Sequence, residues 1–139
     1  MKILLSVICL LFLSSCSKEV TPERLVERNG ISYEVNSQTP FTGSSVNYHE
    51  NGQLKTEVTY ENGKEQGLVR GWHDNGQLKT EVTYENGKKH GLEKRYINGQ
   101  LTSEWTYEYG EQHGLYRSWF DNGQLTIETT YENGEQHGL

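Results

Sequence analysis

A repeat of about 24 residues dominates this sequence and limits the folds open to it. Residues 49–68 read HENGQLKTEVTYENGKEQGL and residues 73–92 read HDNGQLKTEVTYENGKKHGL, with 17 of 20 positions identical. The aromatic residues that mark the period are 24, 24 and 23 residues apart: Tyr48, Trp72, Tyr96 and Trp119. Only 32% of the chain is hydrophobic, which fits disorder or a thin array whose units pack only on their neighbours. Regular Trp and Tyr spacing favours the array.

Each repeat contains two segments with the period-two pattern of a β-strand. The segment LKTEVTY is rich in β-branched and aromatic residues, which favour strands, and four of its side chains are predicted to share one face: Leu54, Thr56, Val58 and Tyr60. The segment GLVRGW is predicted to place three side chains on one face: Leu68, Arg70 and Trp72. The repeat is therefore predicted to be a pair of strands.

Glycines separate these strands at regular positions: Gly52, Gly63, Gly76, Gly87, Gly99, Gly110, Gly123 and Gly134. All but Gly110, which follows Tyr109, are preceded by Asn. An Asn-Gly pair predicts a tight hairpin turn because both residues tolerate a positive φ. A second glycine series precedes the aromatic residues: Gly43, Gly67, Gly91 and Gly114. We interpret this series as strand bends or close backbone approaches, with ligand contact as the alternative.

The pattern of an aromatic residue, Gly-Leu, the next aromatic residue and two further glycines resembles the variant MORN repeat. The resemblance covers residues 48–139 in nearly four copies, and the third copy, YINGQL, is one residue shorter at its turn. It implies an all-β fold, namely an elongated single-layer antiparallel meander of repeated β-hairpins. MORN-type repeats are associated with phospholipid and protein binding, so the resemblance implies a binding role.

The N-terminus has the features of an export signal. Lys2 precedes ILLSVICLLFL, an apolar run of 11 residues that is shorter than the roughly 20 needed to span a bilayer. Residues 13–16, LSSC, resemble the lipobox of bacterial lipoproteins, which implies cleavage before Cys16 and lipid attachment to it. The alternative is an ordinary secretory signal followed by a chance cysteine. Ser17 favours sorting to the outer membrane, so the predicted location is the bacterial cell envelope.

We predict four segments along the chain. Residues 1–15 form a lipoprotein signal peptide, residues 16–22 a lipidated linker, residues 23–47 a capping hairpin or atypical repeat, and residues 48–139 the variant MORN repeats. The last copy stops at ENGEQHGL. We expect that the sequence is truncated there or that another chain covers this edge, because exposed strand edges invite association.

Charge and spacing weigh against several kinds of chemistry. Residues 1–15 contain one basic residue and no acidic one, so the rest holds 12 Lys and Arg against 19 Asp and Glu, a formal net charge of −7 that disfavours nucleic acid. Histidines at equivalent repeat positions lie roughly 10 Å apart, too far for a shared zinc ion: His49 with His73, and His90 with His113 and His137. We interpret them as solvated turn residues and predict no metal and no cofactor.

Two charged series recur in the repeats. A glutamate series lies on the predicted polar face and is interpreted as solvated, because catalysis needs carboxylates in different environments: Glu57, Glu81, Glu104 and Glu128. A basic series lies between a Leu and an aromatic residue on the other predicted face. Two interpretations of this series are open. The side-chain stems of the cations pack on the aromatic rings, or cations and rings together form a candidate binding stripe for an anionic head group, glycan or protein. The six residues are Arg70, Trp72, Lys94, Tyr96, Arg117 and Trp119.

The sequence therefore predicts a lipid-anchored envelope protein whose hairpin repeats bind or scaffold protein partners, and not an enzyme. The resemblance also implies an alternative, because many bacterial proteins of this kind are classed as antitoxin or immunity components. In that role the sheet would bind and occlude a toxin. A glycan-processing enzyme is the third hypothesis, and it would require a carboxylate or histidine that departs in setting from its repeat equivalents.

Overall fold

The computed structural model describes residues 18–137, so the predicted signal peptide, Cys16 and Ser17 lie outside the described residues. Within this range the chain forms thirteen strands and a 3₁₀ turn at Pro22–Arg24. No helix in it is long and apolar enough to cross a membrane. The strands are β1 (Glu19–Val20), β2 (Leu25–Arg28), β3 (Ile31–Glu34), β4 (Gly43–Tyr48), β5 (Leu54–Glu61), β6 (Lys64–Glu65), β7 (Gly67–Trp72), β8 (Leu78–Glu85), β9 (Lys88–Ile97), β10 (Gln100–Glu108), β11 (Glu111–Trp119), β12 (Leu125–Glu132) and β13 (Glu135–His137).

Eleven of these strands form one sheet in the order β1-β4-β5-β7-β8-β9-β10-β11-β12-β13, with β6 paired to β5. From β4 onward every pair is antiparallel, and each strand pairs with the next one in the chain except that β6 and β7 both pair with β5. The all-β hairpin meander is thus confirmed. The short strand β1 lies in the predicted linker and pairs with β4 in parallel, and β2 and β3 form a separate hairpin.

The β2–β3 hairpin packs on the turn between β5 and β6. Ser32 N donates to Gly63 O at 2.8 Å, Gly63 N donates to Phe41 O at 2.7 Å, and Phe41 N donates to Ser32 O at 2.9 Å. Phe41 is only 3% exposed, and its ring packs in a T-shaped arrangement with that of Tyr60, with the ring centres 5.8 Å apart. These contacts join residues before the repeats to the first hairpin, while β4 crosses the predicted boundary between residues 47 and 48.

The Asn-Gly pairs form two kinds of turn. At Asn62 and Gly63 both residues have positive φ, 51° and 79°, as predicted, and five other turns share this form: residues 29–30, 86–87, 98–99, 109–110 and 133–134. At Asn51 and Gly52 only the glycine does, at 82°, and the same holds at residues 75–76 and 122–123. There the Asn side chain accepts the N–H two residues on, at 3.0 Å from Gln53 in the first case. At these three turns Asn acts through its side-chain acceptor and does not adopt a positive φ.

Successive hairpins are tied together at one edge of the sheet. The turn glycine of each hairpin donates its N–H to a carbonyl of the preceding repeat at 2.9 Å: Gly87 to Glu65, Gly110 to Lys89 and Gly134 to Gln112. The glycines of the second series at residues 67, 91 and 114 have φ of 81°, 93° and 97°, and the last two lie next to register shifts in the ladder. The ladder bulges at these positions, which agrees with the predicted bend.

The two faces of the sheet differ in character. Directly opposed residues point to the same side, and one line across the strands runs Val69, Val82, Glu93, Trp105 and Tyr116. Tyrosines on the same side each lie opposite a glycine of the second series: Tyr60, Tyr84, Tyr107 and Tyr131. We call this side the aromatic face. The opposite side, the charged face, carries the recurring glutamates and cations of the repeats.

Candidate functional site

A row of alternating charges crosses the charged face. Its members are opposed in the strand ladder, and we call them the charge row: Glu57, Arg70, Glu81, Lys94, Glu104, Arg117 and Glu128. Arg70 lies between two carboxylates, with Nε 3.0 Å from Glu81 and Nη1 4.0 Å from Glu57. Each cation of the row is therefore opposed by two acids from its neighbouring strands.

The rest of the charge row is paired in the same way. Arg117 Nε lies 2.7 Å from Glu128, and its Nη1 lies 3.9 Å from Glu104. Lys94 Nζ lies 3.9 Å from Glu104. The sequence assigned the glutamates and the cations to different faces, and that assignment is wrong. In the antiparallel ladder each glutamate of the series lies directly opposite a cation of the neighbouring strand. Directly opposed side chains point to the same side of the sheet, so both series lie on one face.

The cations of the candidate stripe do not form the predicted cation–π contacts with its rings. The cations pair with glutamates, and the cation–π contacts of residues 18–137 involve other cations: Arg28 with Tyr33, Lys89 with Tyr107 and Arg95 with Trp105. The aromatic members oppose a leucine across the following turn: Trp72 with Leu78, Tyr96 with Leu101 and Trp119 with Leu125. The stripe remains a prediction as a binding site.

Leucines lie beside the charge row. Leu68, Leu92 and Leu115 each precede a cation of the row by two residues, so they lie on the charged face. Their exposed fractions are 39%, 41% and 36%. We call them the leucine row. The charged face therefore combines half-exposed apolar side chains with charges that already neutralise one another.

A buried carboxylate interrupts the aromatic face. Glu93 is 2% exposed, and its two oxygens accept from different cations. Oε2 lies 2.6 Å from Lys89 Nζ, while Oε1 lies 3.0 Å from Arg95 Nε and 2.8 Å from Arg95 Nη2. The Arg95 guanidinium lies 4.6 Å from the Trp105 ring centre, and Lys89 Nζ lies 4.8 Å from that of Tyr107. We call these five residues the Glu93 cluster.

Hydrogen bonding keeps the buried Glu93 charged. Burial alone would raise the pKa of this carboxyl, but the hydrogen bonds from Lys89 and Arg95 outweigh burial, so its pKa lies below the ordinary value. Burial likewise opposes the charge of Lys89, yet the bond to Glu93 leaves the pKa of Lys89 raised. The cluster thus holds two cations and one anion at neutral pH.

Sequence reasoning missed this cluster, although the repeat contains a signal for it. At the position of Glu93 the flanking repeats have Val69 and Tyr116. The two cations also replace other residue types: Lys89 stands where Glu65 and Gln112 stand, and Arg95 where Gly71 and Ser118 stand. Three linked departures in one repeat indicate a local feature that the neighbouring repeats lack.

The histidines are more engaged than solvated turn residues. His49 Nε2 lies 2.9 Å from Trp72 O, and His73 Nε2 lies 3.3 Å from Tyr96 O, so each donates to the backbone of the next repeat. The other three lie 3.6 to 3.9 Å from a glutamate across the turn: His90, His113 and His137. Between residues 18 and 137, no three His, Cys, Asp or Glu side chains are grouped to hold a metal ion.

Open depressions occur at the loops of the sheet. One of about 560 Å³ is lined by Trp119, Phe120, Asp121, Asn122 and Gln124. Another of about 250 Å³ lies at the opposite turns and includes His113 and His137. Neither depression is lined by a residue of the charge row or of the Glu93 cluster, so both charged features lie on the faces of the sheet and away from these depressions.

Three segments of the chain match the family model described as the MORN repeat variant, at residues 41–62, 65–86 and 112–133. The interval between the last two contains both the shorter turn and Glu93. No curated protein matches the chain, and no solved structure matches it. The resemblance seen in the sequence is confirmed at these three segments, and the chain contains three variant MORN repeats.

Proposed function

We propose that this chain is a non-catalytic module that binds or scaffolds protein partners and is held at a bacterial membrane by lipid on Cys16. MORN variant repeats support a repeat-based binding or scaffolding role. The lipid anchor is supported by the sequence LSSC after a short apolar run. Together these features describe a surface displayed close to an envelope membrane.

The leucine row is the observation that carries the binding proposal. Three apolar side chains recur on one face at every second strand, a spacing of roughly 10 Å, with exposed fractions of 36 to 41%. Apolar patches rimmed by polar groups mark interaction sites. The neighbouring cations each have acidic partners, which favours a protein partner over an anionic membrane surface.

The repeated environments favour binding over catalysis. Glu57, Glu81, Glu104 and Glu128 occupy equivalent places beside cations, so no pair of them is set apart as acid and base. Glu93 is set apart, but both its oxygens accept hydrogen bonds from cations. A carboxylate held in this way is a poor proton acceptor.

Cross-linking of the full lipoprotein in its own cells tests the binding surface. Replacing Leu68, Leu92 and Leu115 with Ser should abolish the cross-linked adducts formed by the wild type. A control with Ile97, Phe120 and Leu125 replaced by Ser removes other exposed apolar side chains, at 55%, 59% and 49%, and should retain the adducts. Adducts that persist without the leucine row would overturn the proposal. A toxin domain in the adduct would select the occluding role.

A further inference from the structure

We propose that the Glu93 cluster is a second docking point, which takes a carboxylate-bearing acidic segment of a partner protein. It lies on the aromatic face, opposite the leucine row, and stands on different residues. Arg95 and Lys89 supply two positive charges and Glu93 one negative charge, whereas the charge row has four acids and three bases. The cluster therefore has a net positive charge in a chain whose formal net charge is −6.

The arrangement holds Arg95 ready for an anion. Glu93 accepts from Nε and Nη2, and the guanidinium lies over the Trp105 ring, so its orientation is set before any partner arrives. The contacts described for this side chain leave the two N–H groups of Nη1 available, and 57% of the side chain is exposed. A guanidinium matches the planar geometry of a carboxylate, and prior ordering lowers the entropy lost on binding.

Lys89 supplies the second cation at the same place. Its ammonium bonds the other oxygen of Glu93 and lies over the Tyr107 ring, with 31% of the side chain exposed. The two cations thus flank one carboxylate and each rests on an aromatic ring. Arg, Trp and Tyr are the residue types that dominate binding energy at protein interfaces.

The position of Glu93 fits this role. Burying a carboxylate costs free energy even when it is paired, and the equivalent positions hold Val69 and Tyr116 without one. The effect of Glu93 here is to fix two cations over two rings. It is a positioning residue, and Arg95 and Lys89 are the groups that meet the partner.

A titration with a blocked hexapeptide of glutamate tests the proposal, with a hexapeptide of glutamine as the neutral probe. NMR should show saturable shifts of the Arg95 Nε–H and Trp105 indole signals with the acidic peptide alone. Arg95→Gln and Lys89→Gln should each weaken binding at least about tenfold, since a hydrogen bond to a charged group is lost. Arg117→Gln makes the same charge change in the charge row and should leave binding within about twofold.

Three results would overturn the proposal. They are equal weakening by Arg117→Gln, the absence of any saturable shift, and Arg95-dependent binding to phosphatidylglycerol vesicles without binding of the acidic peptide. Arg95→Lys keeps the positive charge but loses the planar guanidinium, so this variant should bind the acidic peptide with intermediate strength. Circular dichroism should show that each variant is folded. The leucine variant should bind the peptide like the wild type, so the two proposals fail separately.

Discussion

At the scale of single residues, Glu93 shows how a charge is kept inside a thin sheet. A single-layer sheet has no second layer to bury an apolar face, and its side chains cover one another. Here the stems of Lys89 and Arg95 and the rings beside them reduce the exposure of Glu93 to 2%. The carboxylate is buried by the same side chains that neutralise it, which makes the ion pair and the packing inseparable.

The pH dependence of stability should report this carboxylate. Because its folded-state pKa lies below the ordinary value near 4.5, the charged form stabilises the fold above that value, and the contribution is lost as pH falls through the folded pKa. Glu93→Gln should lower the free energy of unfolding by about 1 to 3 kcal/mol at pH 7 and by less at pH 3. Urea denaturation at both pH values measures the difference.

Glu50→Gln is the control for that experiment, because Glu50 lies on an exposed turn. Its denaturation curves should follow the wild type at both pH values. Glu93→Val, which restores the residue type of the preceding repeat, should cost less than Glu93→Gln at pH 7, because no buried amide is left between two cations. A constant difference between the wild type and Glu93→Gln from pH 7 to pH 3 would refute the role of the charge.

His49 provides a second test at this scale. Its Nε2 donates to Trp72 O at 2.9 Å, so His49→Ala should lower the free energy of unfolding by about 1 kcal/mol. His113→Ala removes the same residue type at a 43% exposed side chain and should cost less than about 0.5 kcal/mol. Thermal unfolding monitored by circular dichroism would show the contrast, and equal effects would contradict the assigned hydrogen bond.

At the scale of the element, one dipeptide serves two turn geometries. The difference comes from loop length. Where three residues connect the paired ends, as between His49 and Gln53, only the glycine needs a positive φ. Where two residues connect them, as between Ile97 and Gln100, both do. The missing residue in YINGQL converts the first kind of turn into the second.

Replacing Asn by Gly should separate the two geometries. Asn62→Gly should change the free energy of unfolding by less than about 0.5 kcal/mol, because glycine accommodates positive φ. Asn51→Gly should cost about 1 kcal/mol or more, because it removes the acceptor for Gln53 N and the donor to Asp74 O at 2.6 Å. Urea denaturation of both variants measures the difference. A larger loss at Asn62 than at Asn51 would reverse the assignment.

At the scale of the whole molecule, the open order of strands predicts an elongated particle. Ten strands in sequence at about 4.8 Å spacing extend roughly 43 Å across the sheet. A compact chain of this length has a radius of gyration of about 14 Å. Small-angle scattering of the unlipidated Cys16→Ser form, made without residues 1–15, should give a clearly larger value. A value near 14 Å would count against the open meander.

Membrane attachment is a separate property of the whole chain. Cys16→Ala should abolish lipidation, because the predicted lipid is attached to this cysteine. Stable anchoring needs several acyl chains, so the variant should move from the detergent phase to the aqueous phase in Triton X-114 partitioning. Ser17→Ala leaves the cysteine in place and should stay in the detergent phase. Unchanged partitioning of Cys16→Ala would refute the lipobox interpretation.

The sequence by itself determined the repeat, its period and the hairpin character of each unit. These properties are local, since turn chemistry and alternation act over a few residues. The glutamate and basic series were visible for the same reason, and so was the shorter third turn. The Glu93 cluster also left a signal in the sequence, because three positions of this repeat differ from their equivalents in the flanking repeats.

Only the tertiary structure decided which residues face each other. A single strand shows that Arg70 and Leu68 share a side, but the register between strands decides that Glu57 and Glu81 lie on that side too. Register depends on loop length and bulges, and a shift of one residue exchanges the two faces of a strand. The charge row and the Glu93 cluster exist because of that register, which no single repeat specifies alone.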